Sequence, residues 1–266
     1  MNREEFSKLA VLREMTPISL SDMKAVKLMN RVDTKYVATM DSLMAILQQA
    51  SHDYLIQVFE DKTISSYDTV YFDTHDLEMY HRHHNRVLAR KKVRMRNYLD
   101  TGDCFFEIKH KSNKGRVNKK RVRLPVASFD VMTLNEDAID FLQKQTIYQG
   151  IDLLPQVRTR FDRITLVNKA RTERLTIDIN LKFNNLQTQL SSEFNDIVII
   201  ELKQDSSSAS MMKSILMDLR IKPQRISKYC LGIVLTNPSA KYNWFKKKLM
   251  YINKIRQQQN QPLCQI

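Results

Sequence analysis

Several segments of this chain alternate basic and apolar residues, and that pattern leaves few folds open. In a β-strand, residues i, i+2 and i+4 share a face. Arg94 and Arg96 therefore lie on one face and Val93 and Met95 on the other. Glu107, Lys109 and Lys111 oppose Cys104, Phe106, Ile108 and His110, while Arg121 and Arg123 oppose Val122 and Leu124. Arg174, Thr176, Asp178 and Asn180 oppose Leu175, Ile177, Ile179 and Leu181; Glu201 and Lys203 oppose Val198, Ile200 and Leu202. An antiparallel sheet with one dry and one wet face also alternates, but its wet face mixes both charge signs with Ser, Thr and Gln. Like charges facing each other across strands repel. A sheet stacking Arg94, Arg96, Lys109, Lys111, Arg121 and Arg123 is strained unless an anion sits among them. Closing such a sheet into a barrel, with the charges inside and helices over the apolar face, predicts a cationic tunnel.

The carboxylates in the stripes need their own reason, since a Glu repels phosphate. A divalent cation resolves the conflict by bridging carboxylate and phosphate oxygens. Glu107 and Glu201, each two residues before a Lys, are the candidate ligands. The alternative is that each Glu pairs with a neighbouring Lys or Arg. The formal charge of +14 agrees with a polyanionic partner of some kind.

The rest of the chain predicts an α+β fold of mainly antiparallel strands with helices packed outside. Helices are expected over 3–14, 21–29, 41–49 (capped by Asp41), 136–145, 207–219 and 226–235. Strands are expected over 34–38, 54–59, 65–73, 87–98, 103–111, 117–124, 156–167, 173–182 and 196–203. Asn113-Lys-Gly115 marks a hairpin turn. In 156–167, Arg163 lies on one face and Arg158 and Arg160 on the other, and either could line the tunnel. The division expected is an N-terminal helical segment (1–30), a tunnel domain (31–236) and a basic amphipathic helix and tail (237–266). That tail sets Trp244, Phe245, Leu249, Ile252 and Ile255 among Lys246, Lys247, Lys248, Lys254 and Arg256; it is expected to cap the domain, with peripheral contact to an anionic membrane as the alternative.

Three scattered cysteines, an N-terminus without an apolar signal core and no apolar run of about 20 residues point to a cytoplasmic protein without a membrane span. No Gly-rich P-loop occurs. His81, His83 and His84 lack metal-ligand spacing and are expected to form a solvated basic patch at a helix exit. The stripes carry Phe105 but few other aromatics on which bases would stack, which disfavours nucleic acid.

Glu107-Ile-Lys109-His-Lys111 resembles the ExKxK signature of triphosphate tunnel metalloenzymes, the CYTH-like proteins. Arg31-Val-Asp-Thr-Lys-Tyr36, Tyr71-Phe-Asp-Thr74 with Tyr80, and Arg90-Lys-Lys-Val-Arg-Met-Arg96 resemble the VTC branch. Phe161-Asp-Arg163, Arg174-Leu-Thr-Ile-Asp178, Glu201-Leu-Lys203 and Ser227-Lys-Tyr229 continue the series in order, with Phe161 where the family usually has Tyr. No SPX-type or membrane-spanning segment accompanies the run, so it is similar to the standalone bacterial members. The resemblance implies an eight-stranded antiparallel β-tunnel using Mn²⁺ or Mg²⁺. It further implies a polyphosphate polymerase that moves the γ-phosphate of ATP to a growing chain. Lys109, Arg94, Arg96 and Lys228 would be catalytic. Lys35, Arg121, Arg123, Arg163, Arg174, Lys111 and Lys203 would bind phosphate, and Glu201, with Glu107 nearby, would hold the metal. Triphosphate hydrolysis on the same fold, or silent polyphosphate binding, are the alternatives.

Overall fold

The structure, a computed structural model, describes residues 9–25, 31–205 and 209–259. Eight strands form one antiparallel path: β2 (Arg31–Thr39), β11 (Ile197–Asp205), β9 (Glu173–Asn185), β8 (Leu154–Asn168), β4 (Ile64–Asp73), β5 (Arg90–Tyr98), β6 (Asp103–Lys111) and β7 (Val117–Leu124). Three short strands extend it. β1 (Pro17–Ser19) runs parallel to β3 (Tyr54–Val58), β3 joins β8, and β10 (Ser191–Phe194) joins β9. The ends of the path, β2 and β7, share no ladder among the described residues. The tunnel is therefore a curled sheet with a seam, not a fully hydrogen-bonded barrel.

Alternation does what the sequence predicts. Val93, Met95, Cys104, Phe106, Ile108 and Leu124 pack outward under α5 (Ala127–Val131) and α6 (Glu136–Gln145). Leu175, Ile177, Ile179, Val198, Ile200 and Leu202 form a second outer core with α1 (Ala10–Glu14), α3 (Met40–Ala50) and α7 (Met211–Asp218). Asn180 departs from the expectation. Its left-handed backbone (φ 52°) accompanies a register shift in the β8–β9 ladder. The extra residue reverses the faces beyond it. Asn180 thus donates to Asp162 on the outer side, while Leu181 and Phe183 join an inward cluster with Val37, Phe161, Ile197 and Ile199.

That inward cluster, with Tyr71 and Val157, receives α8 (Lys228–Thr236), which packs into one end of the tunnel. Gly232 lets α8 come this close. A Cβ there would stand 2.7 Å from Val157 Cγ1 and 3.1 Å from Phe183 Cδ1. Gly232→Val is expected to cost about 1–3 kcal/mol through overpacking, seen as a lower denaturation midpoint; an unchanged midpoint would refute this packing role.

Other differences are local. Thr39, not Asp41, caps α3, accepting from Ser42 N. The strand expected from residue 87 begins at Arg90, because α4 (Glu78–His84) and its exit precede it. The α4 N-terminus is satisfied by Asp73, whose carboxylate accepts from Met79 N and Tyr80 N at 2.8 Å each. His84 lies on this helix but is buried, its Nδ1 2.8 Å from Asn85 Oδ1, so the solvated patch is not what forms. Ser112 N and Arg116 O close the hairpin at 2.8 Å, with Gly115 left-handed (φ 79°). Of the first two expected helices, residues 10–14 and 20–25 are helical (the latter α2), and the remainder lies largely outside the described residues. Residues 207–208 of the helix expected over 207–219 also lie outside them. The tail forms α9 (Asn243–Gln259); Phe245 and Ile252 are buried against the domain, and Trp244 is half exposed.

Candidate active site

The inward face of the sheet gathers cations from six strands, and three carboxylates hold those of five of them and of α8. On β11, Glu201 Oε1 takes the ammonium groups of Lys35 (2.8 Å) and Lys203 (3.2 Å). Asp178 on β9 takes Arg163 Nε (2.6 Å) and Nη2 (2.9 Å), and also Lys228 from the first turn of α8. Glu107 on β6 is 1% exposed; Arg94 Nη2 meets its Oε2 at 2.5 Å and Lys119 its Oε1 at 2.8 Å. Lys109 lies in the field of Glu201, Lys35 and Arg94, so strands from both ends of the path face one another across the lumen.

Three residues of one short segment divide the work of joining the plug to the wall. Ser227 caps α8 by accepting from Cys230 N and also receives Lys92 Nζ at 2.7 Å. Lys228 pairs with Asp178, and the Tyr229 hydroxyl donates to the buried Asp73 carboxylate. Arg158 and Arg160 face outward and share Asp68, each with a contact of 2.7 Å. Arg163 is therefore the lumen arginine of β8.

The electrostatics follow from crowding. Burial alone would raise Glu201, but Lys203 and Lys35 outweigh it and hold the carboxyl well below its usual range. Asp178 behaves alike: burial pushes up, Arg163 and Lys228 pull it down to about 2. Burial would also raise the Tyr71 hydroxyl, yet Arg94, Arg96, Lys228 and Lys92 bring it below its ordinary value, which reports the strength of the cationic field. Burial depresses Lys203 to about 8 despite Glu201, and Lys92 to about 8 despite nearby polar groups.

A phosphate placed beside Lys203 stabilises its charged form and raises its pKa. Binding must therefore take up protons above about pH 8, and affinity must fall as pH rises through that value. Titrating ATP with a chelator present at about pH 8.5, in buffers of different ionisation enthalpy, should show uptake approaching roughly one proton. Below about pH 7 Lys203 is already charged and this uptake disappears. Identical apparent enthalpies in all buffers at pH 8.5 would contradict this.

The sequence-derived residues do not all converge. Arg94, Arg96, Lys109, Lys119, Glu107, Lys35, Glu201, Lys203, Arg163, Asp178 and Lys228 surround the lumen. Arg174 sits opposite Lys203 in the β9–β11 ladder. Arg121 and Arg123 stand on the exposed edge strand, Arg121 4.1 Å from the Phe105 ring and Arg123 2.7 Å from Asp103. Lys111 pairs with Arg90 towards the end where α8 sits. Sequence reasoning passed over Lys92 and Lys119, although each shares the parity of its neighbouring arginines. It also missed the aromatic wall. Tyr67 stacks on Phe161 (5.2 Å) and meets Tyr98 edge-on (5.1 Å), and Arg96 lies 5.5 Å from the Tyr67 ring. Only Phe105 was expected there; the others come from three further strands.

Among the described residues no three His, Cys, Asp or Glu side chains converge as a metal cage. Mg²⁺-type ions, however, use one or two carboxylates and complete their shell with water and phosphate oxygens. Glu201 suits that role, since both ammoniums meet a single oxygen and the side chain is 21% exposed. Glu107, with both oxygens engaged and nearly no exposure, suits a counter-ion.

The VTC domain model matches residues 30–237. The chain belongs to the VTC domain family. Among solved structures, a Bacillus halodurans protein named as an adenylate cyclase superposes with TM-score 0.50 at 13% identity, covering 75% of this chain and 96% of that one. A Hippeastrum protein, named as an adenylyl cyclase and reported to have a dominant triphosphatase activity, gives TM-score 0.49 at 12% identity, covering 78% and 98%. The eight-stranded path and the Bacillus halodurans superposition give this VTC chain the triphosphate tunnel fold. No curated protein matches it significantly. No described helix is long and apolar enough to cross a membrane.

Proposed function

We propose that this VTC domain is a polyphosphate polymerase, transferring the γ-phosphate of ATP to the end of a phosphate chain held in the tunnel. The observation that carries the reading is the ring of Lys35, Arg94, Arg96, Lys109, Arg163, Lys203 and Lys228 around one lumen, with Glu201 on its wall. Phosphoryl transfer asks mainly for positioning and charge neutralisation. Arginines suit two-pronged grips on phosphate oxygens, and lysines act as mobile point charges. Arg163, Arg94 and Lys228 are oriented by carboxylates, so they meet the substrate in fixed positions. Lys109 is proposed to stabilise the transferring group. Glu201 would hold the divalent cation, which when bound polarises the phosphoryl group. The acceptor, an anionic chain end, needs no general base, and the described lumen residues include no Ser-His-Asp or Cys-His set. Family membership favours chain formation over hydrolysis.

Incubation with ATP and Mn²⁺ tests this, following polymer on gels together with ADP and free phosphate, with Lys109→Ala as control. Polymer with ADP, absent from the variant, is the expected result. Free phosphate without polymer would replace the reading by triphosphatase, and binding without turnover by a polyphosphate-holding module.

A further inference from the structure

The histidines and the basic tail, unused by the tunnel ring, meet at the end where α8 packs. Lys92 and Arg90 continue the inward row of Arg96 and Arg94 along β5, and Arg90 pairs in register with Lys111. Arg86, just after α4, stacks on Trp244 of α9 at 3.9 Å, and one turn further Lys248 lies 4.2 Å from the Phe245 ring. Arg90 donates to the Val87 carbonyl at 2.8 Å and Lys92 to Ser227 Oγ at 2.7 Å. Among the described residues no carboxylate contacts Arg86, Arg90, Lys92, Lys111 or Lys248. In the tunnel ring, by contrast, Glu107, Asp178 and Glu201 each hold two cations. Four of these cations are thus held by carbonyl, hydroxyl and aromatic partners that leave their charge uncompensated, and Lys111 stands beside Arg90 in the ladder. Among them sits His83, whose Nδ1 is buried without a hydrogen-bond partner. Burial, then Lys92, Arg90, Lys248 and Lys111, push this imidazole down to about 2, so it stays neutral among them.

We propose that Arg86, Arg90, Lys92, Lys111 and Lys248 form a second polyanion site, which holds the stretch of phosphate chain lying beyond the tunnel ring. The site rests on the polyphosphate reading. Cations two residues apart on a strand stand about 7 Å from each other. The β5 row from Arg96 to Arg90 is therefore a line of charge about 20 Å long, shaped for a linear polyanion rather than one small phosphate. Nucleic acid needs aromatic faces for its bases, and the Trp244 ring is already covered by Arg86.

The test compares inorganic triphosphate with polyphosphate of about 45 units, titrated with a chelator present into the full chain and into its Arg90→Gln/Lys248→Gln variant. Loss of two phosphate contacts is expected to weaken long-chain binding about tenfold or more and to lower its salt slope by roughly one to two. Triphosphate affinity should stay the same, which also reports that the variant is folded. Unchanged long-chain affinity, or an equal loss for both ligands, would overturn the site. A single-stranded RNA of equal charge bound as tightly as polyphosphate, with the same loss in the variant, would overturn its assignment. If the wild type bound not even triphosphate, the tunnel reading would fall, and this site with it.

Discussion

Lys109→Ala is expected to lower turnover at least about 100-fold while leaving stability nearly intact, whereas Arg94→Ala is expected to lose both. The two residues are neighbours in the lumen and their sequence signals are equal, so the contrast comes from their partners. Lys109 is open to solvent and forms no salt bridge among the described residues; what it contributes is field, from Glu201 and Lys35 on one side to Arg94 on the other. Removing it leaves no buried charge behind. Arg94 holds the carboxylate of Glu107, which is 1% exposed and otherwise has Lys119, a residue 43% exposed. Stripping one partner from a buried pair costs about 3–5 kcal/mol, because the remaining charge keeps its desolvation penalty.

The pH dependence separates this cause from simple loss of packing. Burial would raise Glu107, but Arg94, Arg96 and Lys119 hold it below the usual carboxylate range. Its depressed pKa contributes stability that is present above the unfolded value of about 4.3 and is lost as pH falls below it. Arg94→Ala removes most of that contribution, so the stability gap between variant and wild type should narrow as pH drops below about 4. Equal denaturation midpoints at neutral pH, or a gap independent of pH, would dismiss Glu107 as the origin.

How far the sequence reaches can be seen in these same strands. Period-two alternation placed Arg94, Glu107, Lys109, Glu201 and Lys203 on their faces, because a strand that buries one side has no freedom to rotate, but it left open whether Arg163 or Arg158 and Arg160 line the lumen. Alternation fails where the backbone adds a residue: the bulge at Asn180 moves Leu181 and Phe183 inward, and no composition signal announces it. Pairings across strands are likewise invisible. Asp178 was noted as one polar residue among four, yet it orients Arg163 and Lys228 from β8 and α8, 15 and 50 residues away. The seam between β2 and β7, and the plug that α8 makes, depend on closure geometry rather than on any local pattern. Gly232 is the one residue through which the plug could be suspected, and only once its neighbours Val157 and Phe183 are known.

Glu201→Gln should abolish stimulation by Mn²⁺ and yet bind metal-free ATP several-fold more tightly than the wild type. Both effects follow from one carboxylate set among cations. Glu201 repels phosphate and occupies the ammonium groups of Lys35 and Lys203. The amide keeps the shape but removes the charge, freeing two donors for phosphate oxygens. The measurement belongs near pH 6.5, because Lys203, already at about 8 through burial, loses the charge that favours its protonated form. Above about pH 8 that lysine would neutralise and mask the gain in affinity. Divalent binding is followed through the free Mn²⁺ signal with triphosphate present, so the result does not depend on turnover. A Gln variant that still takes up Mn²⁺ and still responds to it in turnover would move the cation off Glu201. Phosphate affinity unchanged at pH 6.5 would mean that Lys35 and Lys203 serve the wall rather than the substrate, and the ring would then be read from Arg94, Arg96, Lys109, Arg163 and Lys228 alone.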